Sequence, residues 1–249
     1  LDDVRRKVRS AMTYPIFMVL FLFAMMSAMF MWIIPMFSDV YVQLGANLPA
    51  ATRQLVSLSE WISINFNTVI FSLFGFIAGL WLISKTQRGG YVLDSIKLKV
   101  PVFGSLLNQS ILNKFAKTAG ILLNAGVPVI ESMNLIGRIV SNRVYEVAIG
   151  DATEYIRDGF NITSALRRTE IFPPILLQLT ATGEETGELD SLLDRTADYY
   201  YKQVNALVER MTTLIEPILI LLVGIIIAVM VVITYLPVFY LGAALQSGL

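Results

Sequence analysis

The sequence predicts an all-α membrane protein: three transmembrane helices and a cytoplasmic bundle of about six helices. Three observations predict it. Of 249 residues 55% are hydrophobic and only 15% charged, with a mean hydropathy of +0.66, whereas soluble domains carry about 25% charged residues. Three long runs lack any charge, Ser10–Ser38, Trp61–Ser84 and everything beyond Glu216. Between the last two runs the apolar residues recur at steps of three and four, with no alternating strand pattern.

The last run organises the chain. Residues 217–237 read PILILLVGIIIAVMVVITYLP, long enough as a helix to cross a hydrocarbon core about 30 Å thick. A stretch without Gly or Pro, Glu188–Arg210, leads into it. The bundle is therefore expected to enter the bilayer as one continuous rod.

Residues 1–12 open the chain with Arg5, Arg6, Lys7 and Arg9, which places this side in the cytoplasm. The first transmembrane helix is expected over 13–37. Residues 38–63 carry Arg53 as their only cation and suit the opposite side. Within them Ala50–Trp61 reads as a short amphipathic helix lying on the membrane, anchored by Leu55, Leu58 and Trp61. The second transmembrane helix is expected over 64–84, where Gly75 and Gly79 form a face that another helix can approach closely. Lys85, Arg88, Lys97 and Lys99 then return the chain to the cytoplasm.

The bundle domain is expected over 85–212. Leu107, Ile111, Phe115 and Leu122 line its first helix, which stops near Gly126. Pro128 starts the second, with Ile130, Met133 and Ile136 inward. Val144, Val147, Ala148, Tyr155 and Ile156 stripe the third, which Gly159 closes. Thr163–Arg168 is a short fourth, and Pro173 or Pro174 opens the fifth. GEETGE reads as a turn before the long sixth. The third transmembrane helix follows over 213–241, and 242–249 are an external tail.

An internal repeat supports this layout. With Pro15 placed over Pro217, Pro35 falls on Pro237, and Phe37 falls on Phe239. Each first proline is expected in the opening turn of its membrane helix, and each second one where it loosens the helix end. If a bundle precedes the third membrane helix, another should precede the first. Residues 1–12 then read as the tail of a first cytoplasmic repeat lying N-terminal to Leu1.

Composition narrows the chemistry. Cysteine and histidine are both absent, which removes thiolates, disulfides and the commonest general base and metal ligand. A net charge of zero gives no reason to expect a nucleic-acid partner. A membrane enzyme would need carboxylates inside a span, and none lies there. A transporter or channel subunit, the alternative reading, would need polar groups lining a path, and Ser27, Ser72 and Thr234 are sparse.

In this order, the stretches RRKVRSAMTYP, LGANLPAATRQLVSLSEW, VPVFGSLLNQSILNKFAKTAGILLNAGVPVIESMNL, FPPILLQLTATGEETGELDSLLDRTADYY and IEPILILLVGIIIAVMVVITYLPVF resemble the type II secretion F-protein family, inner-membrane platform proteins of secretion and type IV pilus machines. The resemblance spans essentially the whole chain except the family's first cytoplasmic repeat. It implies a non-enzymatic scaffold in the bacterial inner membrane with a periplasmic C-terminus and no cofactor. The implied partners are a hexameric cytoplasmic ATPase, the transmembrane helices of pilin or pseudopilin subunits and other inner-membrane components. A small homo-oligomer also fits.

The candidate partner-binding residues are Glu184, Glu185, Glu188 and Asp190 of the acidic turn, together with Glu216 at the membrane entry. The turn allows three readings: an electrostatic docking patch, a divalent-metal site, or a structural corner in which Gly183 and Gly187 relax the backbone and the acids complement the next helix's positive end. Glu216 allows interhelical pairing or contact with a pilin-like subunit. Arg138, Arg143, Arg157, Arg167 and Arg168 form either a solvated face or a surface for an acidic partner.

Overall fold

A computed structural model describes residues 2–36, 39 and 50–246 of the chain. It is about 89% helical, and the described residues contain no strand. In chain order the helices are α1 (Asp2–Ala28), a π-helical turn (Met29–Ile33), α2 (Ala50–Lys85), α3 (Gln87–Lys99), α4 (Phe103–Asn124), α5 (Val129–Ile139), α6 (Arg143–Arg157), α7 (Ile162–Arg168), α8 (Pro174–Thr186) and α9 (Leu189–Gln246). Two compact units result, one of Leu1–Val8 with Leu80–Met211 and one of Arg9–Gly79 with Thr212–Leu249.

In the second unit large apolar side chains face outward. Phe17, Phe23, Trp32, Phe71 and Phe74 are all more than half exposed, as expected of surfaces that meet lipid rather than water. Leu22, Met29, Ile34 and Leu219 are buried. Among the described residues two helical stretches are long and apolar enough to cross a membrane, Thr13–Met36 and Leu189–Ala228, and Ile70–Lys85 with Gln87–Lys99 counts as a third only if the bent pair is one span.

Pro15 falls in the opening turn of the apolar stretch Thr13–Met36, as the repeat suggests, although the whole helix starts earlier. Pro15 is interior to α1 and Pro217 to α9, because the polar lead-in and the apolar run form one helix in each case. Pro237 does not stop α9, which continues to Gln246; membrane helices tolerate such prolines. Pro35 follows the π turn, where the Ile34 N–H bonds to the Met29 carbonyl. The wider turn relieves the clash that a proline ring makes with the carbonyl four residues earlier. Ala50–Trp61 is not a separate surface helix but the first part of α2, a single 36-residue helix. Most of the expected external segment, up to residue 49, and the end of the tail lie outside the described residues.

The first unit is a helical bundle. α5 packs on α6, α6 on α7, α7 on α8, α4 on α5, and α3 on both α4 and α6. Side-chain caps set several starts. Asn142 Oδ1 accepts from the N–H groups of Val144 (3.0 Å) and Tyr145 (3.3 Å), and Asn161 Oδ1 from Ser164 N–H (2.9 Å). Pro174 begins α8 where the missing N–H costs nothing.

Ile111, Phe115, Met133 and Ile136 are buried in the core, as their periodicity predicts, and Leu107 and Leu122 pack against it. The α6 stripe holds as expected at Ala148, Tyr155 and Ile156 but not at Val147. Val147 is half exposed, while Tyr145, Ile149 and Ala152 are fully inside. Phe172 ties the core together, its ring 5.0 Å from that of Phe115 and 5.8 Å from that of Tyr145.

Candidate functional site: the acidic α8–α9 corner

The corner is tighter than its sequence suggests. Residues 183–186 are the last turn of α8, so the reversal is confined to Gly187 and Glu188. Gly187 sits at φ 75°, ψ 9°, a left-handed helix stop that favours glycine. Gly183 is needed for space, since a Cβ there would lie 2.8 Å from Leu189 Cα. Its missing side chain lets α9 begin directly against α8.

The acids around this corner have separate tasks. Glu184 is half-buried and caps α7 from the neighbouring helix. Its carboxylate accepts from Ile162 N–H (2.5 Å), Thr163 N–H (2.9 Å) and Thr163 Oγ1 (2.5 Å). Together with Asn161 it satisfies the N–H groups that every helix start leaves without an intrahelical partner. Glu185 and Glu188 are exposed.

Asp190 and Asp194 face α4 instead. Asp190 Oδ2 accepts from Asn124 Nδ2 at 3.0 Å, and Asp194 Oδ1 from Lys117 Nζ at 2.5 Å. Deeper in the bundle, buried Asn113 donates to the Ala197 carbonyl at 2.7 Å. The pairs run 124–190, 117–194 and 113–197, an antiparallel polar seam. Gly120 lies within it, where a Cβ would approach Asp190 O to 3.1 Å and Asp194 N to 3.3 Å, so the two backbones cross closely. The Lys117 pKa is raised by the hydrogen bond to Asp194, opposed by burial and reinforced by the charges of Asp194 and Asp198.

The structure thus gathers Glu184, Glu185, Glu188 and Asp190 at one corner but gives two of the four internal partners. Glu216 belongs to the other unit and is exposed beside Pro217. The described residues hold no group of three or more acids arranged as a metal set. The arginines are dispersed: Arg157 pairs with Glu154 (2.8 Å) and Arg143 with Glu146 (2.9 Å), and Arg168 stacks over Phe160 at 4.2 Å. Sequence reasoning missed the α4–α9 seam. Its signal was present as Asn113, Lys117 and Asn124, polar residues recurring on one face of an otherwise apolar helix.

A family model, type II secretion system protein F, matches residues 115–237. That stretch runs from within α4, through the acidic corner, to the end of the apolar run. The chain belongs to the type II secretion F-protein family. Among its relatives are the type IV pilus assembly protein PilC of Pseudomonas aeruginosa, 31% identical over 97% of this chain and 65% of the relative, and that of Thermus thermophilus, 34% identical over 95% and 59%. The type II secretion system protein F of Aeromonas hydrophila is 33% identical over 88% of this chain and 56% of its own length. This F-family chain therefore spans about three fifths of the length of these relatives.

Proposed function

We propose that this chain is the larger part of an inner-membrane platform that couples a hexameric cytoplasmic ATPase to the assembly of pilin-like subunits, without catalysing a reaction itself. The carrying observation is that relatives named for pilus assembly and for type II secretion align along nearly the whole chain. Its architecture, a soluble-type bundle and an apolar unit sharing the 58-residue helix α9, supports a scaffold that works at a membrane. In this reading the bundle and residues 1–12 are cytoplasmic, 38–63 and the C-terminus are periplasmic, and the platform is a small homo-oligomer.

Within that reading Glu185 and Glu188 form the docking patch for a basic surface of the ATPase or another machine component, because they are exposed while Glu184 and Asp190 have internal partners. The test uses the complete protein in nanodiscs and the ATPase of the same machine. Glu185→Lys/Glu188→Lys is expected to weaken binding severalfold with helicity unchanged. Unaltered binding would remove the patch from the ATPase interface. No binding by the wild-type complete protein would overturn the coupling reading.

A further inference from the structure

We propose that α3 is an interfacial helix lying on an anionic bilayer surface, with Tyr91, Val92 and Ile96 among the lipid headgroups and Arg88 and Lys99 on their phosphates. The proposal rests on the membrane reading of α2, and it adds a lipid-binding surface to that reading.

The apolar run of α2 ends at Trp81 and Lys85, and the Lys85 ammonium sits 5.1 Å from the centre of the Trp81 ring. An aromatic ring with a cation at the end of an apolar helix marks the membrane–water boundary. Only Thr86 separates this pair from α3, and a built corner fixes the turn there. The Thr86 backbone is extended at φ −76°, ψ 149°. Its hydroxyl donates to the Ile83 carbonyl (2.8 Å) and accepts from Gly89 N–H (3.1 Å). A Cβ on Gly89 would lie 2.3 Å from that same carbonyl, so the corner requires glycine. α3 therefore starts at the boundary and is held to it.

The two faces of α3 differ. The inner face docks on α6, with Gly90 buried against Arg143 Cγ and Asp94 Oδ2 accepting from Arg143 N–H at 2.9 Å. On the outer face Tyr91, Val92 and Ile96 are 43%, 54% and 55% exposed, and Arg88 and Lys99 are exposed beside them. An apolar strip flanked by cations is costly in water and suits the boundary between headgroups and acyl chains. The cations select anionic lipid over an acidic soluble partner because the helix that carries the strip starts one residue after the membrane-boundary pair.

The chain has no cysteine, so single nitroxide labels are clean. Val92→Cys and Ile96→Cys would be labelled in the full chain, with Phe74→Cys as the lipid reference and Ser141→Cys as the aqueous reference. Collision rates with oxygen and with a nickel chelate are read in nanodiscs containing phosphatidylglycerol or only phosphatidylcholine. The expected oxygen-to-nickel ratio at 92 and 96 is severalfold above that at 141 and below that at 74. It should fall in phosphatidylcholine and with Arg88→Gln/Lys99→Gln. A ratio equal to that at 141, or loss of both collisions through protein cover by a second copy or further chain, overturns the proposal. So does a ratio equal to that at 74, which would make α3 re-entrant. A lipid-like ratio indifferent to lipid charge overturns the role given to Arg88 and Lys99. An aqueous ratio at 74 itself overturns the membrane reading beneath it, a failure distinct from the others.

Discussion

Glu184 and Thr163 meet across the α7–α8 boundary, the carboxylate accepting from both the backbone N–H (2.9 Å) and the hydroxyl (2.5 Å) of the threonine. Glu184→Ala is therefore expected to destabilise the bundle by about 2 kcal/mol, the scale of a charge-assisted helix cap. Glu184→Gln keeps one acceptor and should cost about half as much. Thermal unfolding of the full chain in detergent, followed by circular dichroism, reads both. Equal stability for all three proteins would show that the cap contributes nothing.

Tyr145 and Tyr200 are both fully buried, and burial raises the pKa of each. Their hydroxyls differ. That of Tyr145 donates to Asn108 Oδ1, whereas that of Tyr200 has no hydrogen-bond partner among the described residues. Tyr145→Phe should destabilise by about 1 kcal/mol, while Tyr200→Phe should be neutral or stabilise by up to about 1 kcal/mol, because an unsatisfied buried hydroxyl carries a desolvation cost. Chemical denaturation of both variants under identical conditions decides it, and the reverse order would refute the assignment.

The part of the fold that could be read from the sequence is the part governed by period and by chain-breakers. Ile111, Phe115, Met133 and Ile136 fall inward as their spacing predicts, and Pro128, Gly159 and Pro174 stand where helices begin or end. On α6 Ala148, Tyr155 and Ile156 lie inward as expected but Val147 does not, because volume and ring packing favour Tyr145 and Ile149 inside. The acidic corner was legible as a cluster but not in its division of labour. Capping of α7 by Glu184 joins residues far apart in sequence, and no local pattern announces such a pair. The extension of α8 through Thr186 depends on Gly183 admitting Leu189, which is a tertiary contact.

Gly183→Ala tests that dependence. The added methyl would meet Leu189 Cα at 2.8 Å, a backbone atom that cannot swing aside, so a loss of about 1–3 kcal/mol is expected from overpacking. Gly187→Ala has open space around it but must hold φ 75°, which costs about 1 kcal/mol. Paired thermal melts separate steric from backbone strain. A larger loss for Gly187→Ala than for Gly183→Ala would contradict the geometry.

The Lys117–Asp194 link predicts a pH response. The Lys117 pKa lies above its ordinary 10.5 in the folded chain. The folded state therefore holds its proton more tightly than the unfolded one. The stability this contributes is fully present below 10.5 and is lost as pH rises through the higher folded value. Both side chains are near half exposed, so the pairwise term should be only about 0.5 kcal/mol after screening. A double-mutant cycle with Lys117→Met and Asp194→Asn at neutral pH should show that coupling, and the same cycle at a pH above the raised Lys117 value should lose it. Coupling unchanged between the two conditions would mean that Lys117 stays charged throughout or that the link carries no energy.

Glu216 bears on the membrane side of the proposed mechanism. It is exposed on α9, next to Pro217, whose ring removes one backbone donor from the helix. A carboxylate at the entry of an apolar run reaches water at little cost, so its removal should leave the fold intact. If it serves as a contact for a pilin-like subunit, Glu216→Gln should keep membrane abundance and thermal stability while reducing filament assembly or secretion severalfold, and Glu216→Asp should retain most of the activity. A pairing role within the chain predicts the opposite split, with lower stability and an activity that falls only in proportion to the folded protein. Measuring abundance, melting and assembly on the same membranes distinguishes the two, because only a contact role separates activity from stability.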